Sequence, residues 1–240
     1  MPDTTTTDRP LHPLAQDPIR LLLAAGGTRE PIDPVRYLGN RSSGRMGAAI
    51  ADAAHAAGWR VSLLLGTNEL DRLPEGPRIM RFESTAQLQE LLRDQAPACD
   101  ILVMAAAVAD YRPAQPASEK LRRVEGRPLT LELTPTPDLL AEQSARARHD
   151  QMTVGFALEP EADLLRSGRD KLSRKRADLI IANPIETLDA DGVRAVLIDA
   201  TGERPVGTMP KARFAELLVA ELAERLETKR TTPTDAPQNH

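Results

Sequence analysis

Residues 21–47 read LLLAAGGTREPIDPVRYLGNRSSGRMG. A short apolar run ends in Gly26-Gly27, an acidic, proline-bearing turn follows, and the chain then enters a helix through Asn40-Arg41-Ser42-Ser43-Gly44. This is the pattern of a strand–loop–helix crossover suited to an anion. A buried strand carries the chain to the carboxyl edge of a sheet, glycines admit close approach of a ligand, and the first turn of a helix offers unpaired N–H groups.

Working outward, the flanking segments alternate in the same way. Continuous apolar runs predict buried strands at Ile19–Ala25, Trp59–Leu65, Arg78–Phe82, Asp100–Ala107, Met152–Leu158 and Leu179–Ala182. Helices are expected from Ser43 to about Ala57, ending at Gly58, and over Thr85–Gln95, Pro137–Arg148, Glu161–Arg176 and Pro210–Leu226. Leu129–Leu133 alternates like a half-exposed strand, and a further strand is read around Val193–Asp199. Alternating strands and helices predict an α/β chain: a Rossmann-like, mostly parallel sheet with helices on both faces, plus a small strand extension. Residues 110–126 (DYRPAQPASEKLRRVEG) are too long and irregular for a routine connection and read as a lid loop. A disordered leader is expected over 1–18, one domain over 19–226, and a disordered tail over 227–240.

Composition narrows the function. A chain of 240 residues, 41% hydrophobic, can bury a sizeable core. A net charge of −4 and an aromatic content of 2% argue against a nucleic-acid partner, because neither a basic face nor a stacking platform is legible. No apolar run is long enough to span a membrane and no signal-peptide core is present, so a soluble, cytoplasmic protein is expected. The single cysteine, Cys99, reads as a reduced apolar residue before a strand. His12, His55, His149 and His240 are scattered, so neither a metal cluster nor a nucleophile triad is legible.

Several ordered strings now carry a resemblance: GGTREPIDPVRYLGNRSSGRMG, AAAVADYRP, EKLRR, PDLL, VGFALE and KLSRKRADLIIAN. In that order, over roughly residues 19–226, the chain resembles the phosphopantothenoylcysteine synthetase family. The resemblance implies a ligase of coenzyme A biosynthesis. The carboxylate of 4′-phosphopantothenate attacks the α-phosphate of a nucleoside triphosphate, CTP rather than ATP on motif likeness, and pyrophosphate leaves. The amine of L-cysteine then displaces the nucleotide from the acyl-nucleotidylate. It further implies Mg2+ carried with the triphosphate and a homodimer, with the half-exposed strands near 129–133 and 193–199 as contact candidates. Many bacterial synthetases are fused behind a flavin-dependent decarboxylase. This chain starts close to the synthetase half, so a stand-alone enzyme without flavin is expected, with a separately encoded decarboxylase acting next.

The candidate site residues follow from both arguments. Asn40 matches the asparagine that holds the acyl part of the intermediate in the family, the alternative being a helix-capping asparagine. Arg36, in PVRY, is a candidate for the substrate's phosphate or pantothenoyl end, and Ser42, Ser43 and Gly44 offer hydroxyls and N–H groups to the same phosphate. Gly47 reads as a packing position. Lys120 stands at the family position of the lysine that follows negative charge during nucleotidyl transfer, within Lys120-Leu121-Arg122-Arg123, where arginines replace two lysines. Met104, Ala105 and Ala106 are expected to line the nucleotide pocket, with Asp110 at the same sheet edge available to ribose, base or metal. Pro137, Asp138, Leu139 and Leu140 match the segment beside the base, although Thr136 stands where asparagine is usual. Phe156 is read as either a stacking residue or core. Lys171 and Lys175 share a helical face that can grip a triphosphate. Gly39, Arg45 and Leu158–Pro160 also depart from the family pattern.

A nicotinamide-dependent reductase is the competing class. It predicts G-x-G-x-x-G directly after the first strand and an acidic residue ending the second. Here Gly26-Gly27 is far from Gly44, and the second strand ends Leu65-Gly66-Thr67-Asn68. A non-catalytic nucleotide-binding relic is the third reading, separable by its failure to release pyrophosphate.

Overall fold

In the computed structural model, residues 17–187 and 192–232 are described. Strand β1 (Arg20–Ala25) leads through a hairpin of β2 (Arg29–Pro31) and β3 (Tyr37–Gly39) into helix α1 (Arg45–Ala56). Then come β4 (Arg60–Leu65), β5 (Arg78–Arg81), α2 (Thr85–Gln95) and β6 (Ile101–Met104). Two short strands, β7 (Tyr111–Pro113) and β8 (Leu133–Pro135), precede α3 (Leu139–Arg146), β9 (Met152–Glu159), α4 (Leu164–Lys175) and β10 (Leu179–Pro184). The chain closes with β11 (Gly192–Asp199), β12 (Gly202–Pro210) and α5 (Lys211–Thr231).

Eight strands form one sheet in the order β12-β11-β10-β9-β6-β1-β4-β5. From β5 to β10 every neighbouring pair is parallel, and β11 and β12 add an antiparallel edge. This is the Rossmann-like arrangement expected from the alternation of segments. Because β1 pairs with β4 on one side and β6 on the other, the chain reverses direction across the sheet at β1. Ligands of open α/β sheets bind in the crevice at such a switch point.

Strand pleating sorts the core into two layers. Leu21, Leu23 and Ala25 face one layer with Ile50 and Ala54 of α1 and Phe214, Leu218 and Leu222 of α5. Leu22 and Ala24 face the other, with Leu88 and Leu92 of α2, Leu139 and Leu140 of α3 and Leu164 of α4. Each fully buried leucine contributes about 1.5–3 kcal/mol through removal of its surface from water. Cys99 is buried, and burial pushes its thiol up to about 11, which suits an inert packing residue.

The structure differs from the sequence reading at several places. Helix α5 runs to Thr231, so residues 227–231 of the expected tail are helical; the rest of that tail from 233, and residues 1–16 of the leader expected over 1–18, lie outside the described residues. Between Leu129 and Leu133 no strand forms before Leu133, because the segment has no sheet to join. The pairing falls instead on Leu133–Pro135 against Tyr111–Pro113. The strand predicted from Asp100 to Ala107 is shorter, since the chain leaves the sheet after Met104 to build the crevice. The helix predicted from Glu161 begins with a 3-10 turn before Leu164. Strand β12, rich in Gly and Pro, was not legible; it pairs with β11. That pairing makes β11 an interior strand, so residues 193–199 present no open edge to a second subunit.

Candidate active site

The crevice begins where β1 ends. Gly26 sits at φ 83°, and a Cβ there would lie 2.5 Å from the Thr67 carbonyl oxygen, so the position requires glycine. The N–H of Gly27 donates to the Thr67 carbonyl at 2.8 Å, and Ala107 N–H donates to the Gly26 carbonyl at 2.8 Å. The buried Thr28 hydroxyl accepts from Ala109 N–H at 2.9 Å. The loops leaving β1, β4 and β6 are thereby knitted into one rigid floor.

Helix α1 opens onto that floor. Gly44 is its N-cap, in the left-handed region at φ 74°, and no side chain caps the first turn. The leading N–H groups are therefore left to solvent or an anion. Asn40 is not the cap: its Nδ2 donates to the Val108 carbonyl at 2.9 Å, bridging the hairpin exit to the β6 loop. Gly47 carries out the packing role read from its position, since a Cβ there would lie 2.2 Å from the Ala25 Cβ.

Above the floor lies a cavity of about 860 Å³. Asn40, Ser42, Ser43 and Gly44 line it from the α1 side, and Met104, Ala105, Ala106 and Asp110 from the β6 side. Pro137, Asp138, Leu139 and Leu140 form a further wall, and Phe156, Lys171 and Lys175 complete the lining. Phe156 is half-buried: it packs partly on the core while lining the cavity. Thr136, at the departure from the family pattern, donates its hydroxyl to the Ala109 carbonyl at 2.5 Å.

Lys171 and Lys175 of α4 are paired in this state. Lys175 Nζ reaches the two oxygens of Asp138 at 2.8 and 2.9 Å, and Lys171 Nζ reaches Glu159 at 2.6 Å. Burial works to raise the Asp138 carboxyl, but the hydrogen bond from Lys175, with that from Ala141 N–H, outweighs it and holds the group below the usual range. A polyphosphate entering here exchanges one set of anionic partners for another rather than meeting bare ammonium groups.

Two candidates stand outside the cavity lining. Lys120 is exposed on the stretch between β7 and β8. Arg36 does not face the cavity; it is paired with Asp33 and its Nη2 donates to the Leu121 carbonyl at 2.6 Å. Cavity residues not singled out in the sequence include Arg174, Asn183 and Lys211. Asn183 ends the ADLIIAN string, a signal that was present and unused. The others sit among ordinary charged helical residues, where residue type alone says nothing about which face meets a ligand.

Residues 17–226 match the DNA/pantothenate metabolism flavoprotein C-terminal domain. The coenzyme A biosynthesis bifunctional protein CoaBC of Mycobacterium bovis is 45% identical over 175 residues, covering 69% of this chain and 42% of that protein. Its counterpart in Mycolicibacterium smegmatis is 40% identical over 224 residues, covering 88% of this chain and 54% of that protein. The chain thus spans about half the length of the curated relatives it matches. The crystal structure of a CoaBC C-terminal domain superimposes with a TM-score of 0.74 at 29% identity, covering 88% of this chain and 98% of that one. The chain belongs to the DNA/pantothenate metabolism flavoprotein C-terminal domain family.

Proposed function

We propose that this protein is a phosphopantothenate–cysteine ligase that works through an acyl-nucleotidylate. One observation carries the reading: residues scattered from Asn40 to Lys175 converge on a single cavity at the switch point of the sheet. The uncapped start of α1, with Ser42 and Ser43, suits the phosphate of 4′-phosphopantothenate. Lys171 and Lys175 suit the triphosphate, and Phe156 with the 137–140 wall suits a base.

In the first step a carboxylate oxygen of phosphopantothenate bonds to the α-phosphorus, and the bond to the departing pyrophosphate breaks. In the second the cysteine amine bonds to the acyl carbon, the nucleoside monophosphate leaves with the former carboxylate oxygen, and the amine gives up a proton. Neither step needs a protein nucleophile. Positioning and neutralisation of phosphate charge carry the catalysis, with the Asn40 amide set beside the acyl group and Lys120 brought over the α-phosphate by movement of its loop.

Magnesium accompanying the triphosphate fits the donor set. Among the described residues no group of three acidic, histidine or cysteine side chains is gathered, while single carboxylates, Asp110 and Asp138, line the cavity. Such a site suits an ion held by phosphate oxygens with one carboxylate, where it would neutralise triphosphate charge. CTP in preference to ATP, a cytoplasmic location, a homodimer and a decarboxylation of the product as the next reaction complete the proposal. No helix among the described residues is long and apolar enough to cross a membrane. The exposed Leu129, Leu131 and Leu133, with Tyr111 close by, support a subunit contact along the β7–β8 arm.

The test is pyrophosphate release with each triphosphate, with and without cysteine. Release that requires phosphopantothenate, followed by cysteine-dependent formation of the nucleoside monophosphate, is expected. Nucleotide binding without pyrophosphate release would leave only the binding relic.

A further inference from the structure

The Arg36 side chain, a candidate for the substrate in the sequence, is part of a small assembly around the buried Asp33. Asp33 is 4% exposed, a rare setting for a carboxylate. Its Oδ1 accepts from the N–H groups of Val35 and Arg36, both at 2.8 Å, which closes the turn. Its Oδ2 accepts from Arg36 Nε at 2.9 Å and from Leu121 N–H at 3.1 Å. Arg36 Nη2 then donates to the carbonyl of the same Leu121 at 2.6 Å. Both backbone polar groups of one loop residue are thus held by a single ion pair, and that residue adjoins Lys120. Ala117 N–H adds a bond to the Ile32 carbonyl at 2.9 Å.

Among the described residues, the hydrogen bonds that tie 115–131 to the rest of the molecule all end on residues 32–36. The remainder of the stretch is largely exposed. A long loop pinned at one spot pivots about that spot.

We propose that Asp33 is a positioning residue: with Arg36 it forms a clasp on Leu121 that sets where Lys120 can swing over the cavity. This rests on the reading of Lys120 as the residue that meets the α-phosphate. The clasp also ties the two halves of the site together, because the 32–36 turn lies in the same loop that delivers Asn40 to the α1 entrance.

The decisive measurement is amide hydrogen exchange of residues 115–126 in the ligand-free protein, for wild type, Asp33→Asn and Arg36→Gln. Exchange at Leu121 is expected to rise about tenfold in Asp33→Asn, the size expected for losing a charge-assisted bond, with β1 and β6 amides unchanged. Arg36→Gln keeps the two turn bonds to Oδ1, so it tests the clasp even where Asp33→Asn does not fold. Unaltered exchange at Leu121 in the folded variants would overturn the clasp. Turnover then tests positioning: Asp33→Asn should lower kcat for pyrophosphate release with the KM for CTP held within about twofold. Adding Asp33→Asn to Lys120→Gln should slow the enzyme no further, whereas independent, multiplying losses would show that Asp33 does not act through Lys120. A Lys120→Gln enzyme as fast as wild type would sink the assigned role of Lys120, while the exchange result would still decide the clasp.

Discussion

The floor of the cavity and the arm that leaves its rim at Asp110 and returns at Thr136 are built on opposite principles. The floor stands on parallel strands whose loops are cross-bonded through Gly26, Gly27, Thr67 and Ala107, with glycines admitted only where a side chain would collide. The arm between β7 and β8 has a short two-stranded stem, an exposed surface carrying Val124, Leu129 and Leu131, and one clasp at Leu121. On the proposed chemistry an acyl-nucleotidylate has to be kept from water, which calls for both. Rigid donors fix the reacting groups, and a mobile cover admits substrates and then excludes solvent.

The comparison breaks most visibly if the arm does not act in the chemistry. Replacing Lys120 with Gln should slow pyrophosphate release by roughly 10²–10³-fold, the scale of one lost donor to transition-state charge, with little change in CTP affinity. Rapid-quench measurement of the first turnover checks this. An undiminished burst would confine function to the floor.

The floor should fail by stability rather than by rate. A leucine at Gly47 would drive its Cβ into Ala25, prising α1 from β1, and should cost about 3 kcal/mol in urea unfolding. A substitution tolerated there with an unchanged midpoint would mean that the helix is less tightly seated than the structure has it.

Protease should find the arm first. Arg122, Arg123 and Arg127 are exposed, so trypsin is expected to cut there while buried Cys99 resists alkylation. Saturating CTP and phosphopantothenate should slow that cut by about tenfold through closure. Equal cutting rates would leave the arm without a role as a cover.

The smallest effect sharpens the contrast by acting where the β11–β12 hairpin meets α5. Asp199 lies at about 2: burial raises it, but bonds from Thr201 and the ion pair with Arg225 lower it further from the ordinary 3.8. A carboxyl depressed on folding contributes stability above its ordinary value, and the contribution is lost as pH falls from 3.8 toward 2. After allowance for solvent screening, Asp199→Asn should cost about 1 kcal/mol at neutral pH and nothing at the acid end. Thermal unfolding across that range measures it, with arm cleavage unaffected.

Much of this was legible beforehand for identifiable reasons. Strands buried on both faces need unbroken apolar runs, so β1, β4, β9 and β10 announced themselves. Asn40, Ser42, Ser43 and the 137–140 segment could be picked out because helix entries and family strings mark them. The β11–β12 hairpin was half-read, since edge strands tolerate the Gly, Pro and charge that obscure a strand pattern. Arg174 and Lys211 were missed because a lysine or arginine on a surface helix looks the same whether it faces solvent or a cavity.

What the order of residues determined alone was the class of fold and the identity of most groups at the cavity, because apolar periodicity and glycine-bearing turns are local properties. Only the folded chain decided their partners. That Lys171 and Lys175 are already neutralised by Glu159 and Asp138, and that Arg36 bonds to the Leu121 carbonyl, are matters of who meets whom across long separations in sequence. Ion pairs and clasps of that kind depend on distance and burial, and neither quantity exists until the sheet has brought its loops to one edge.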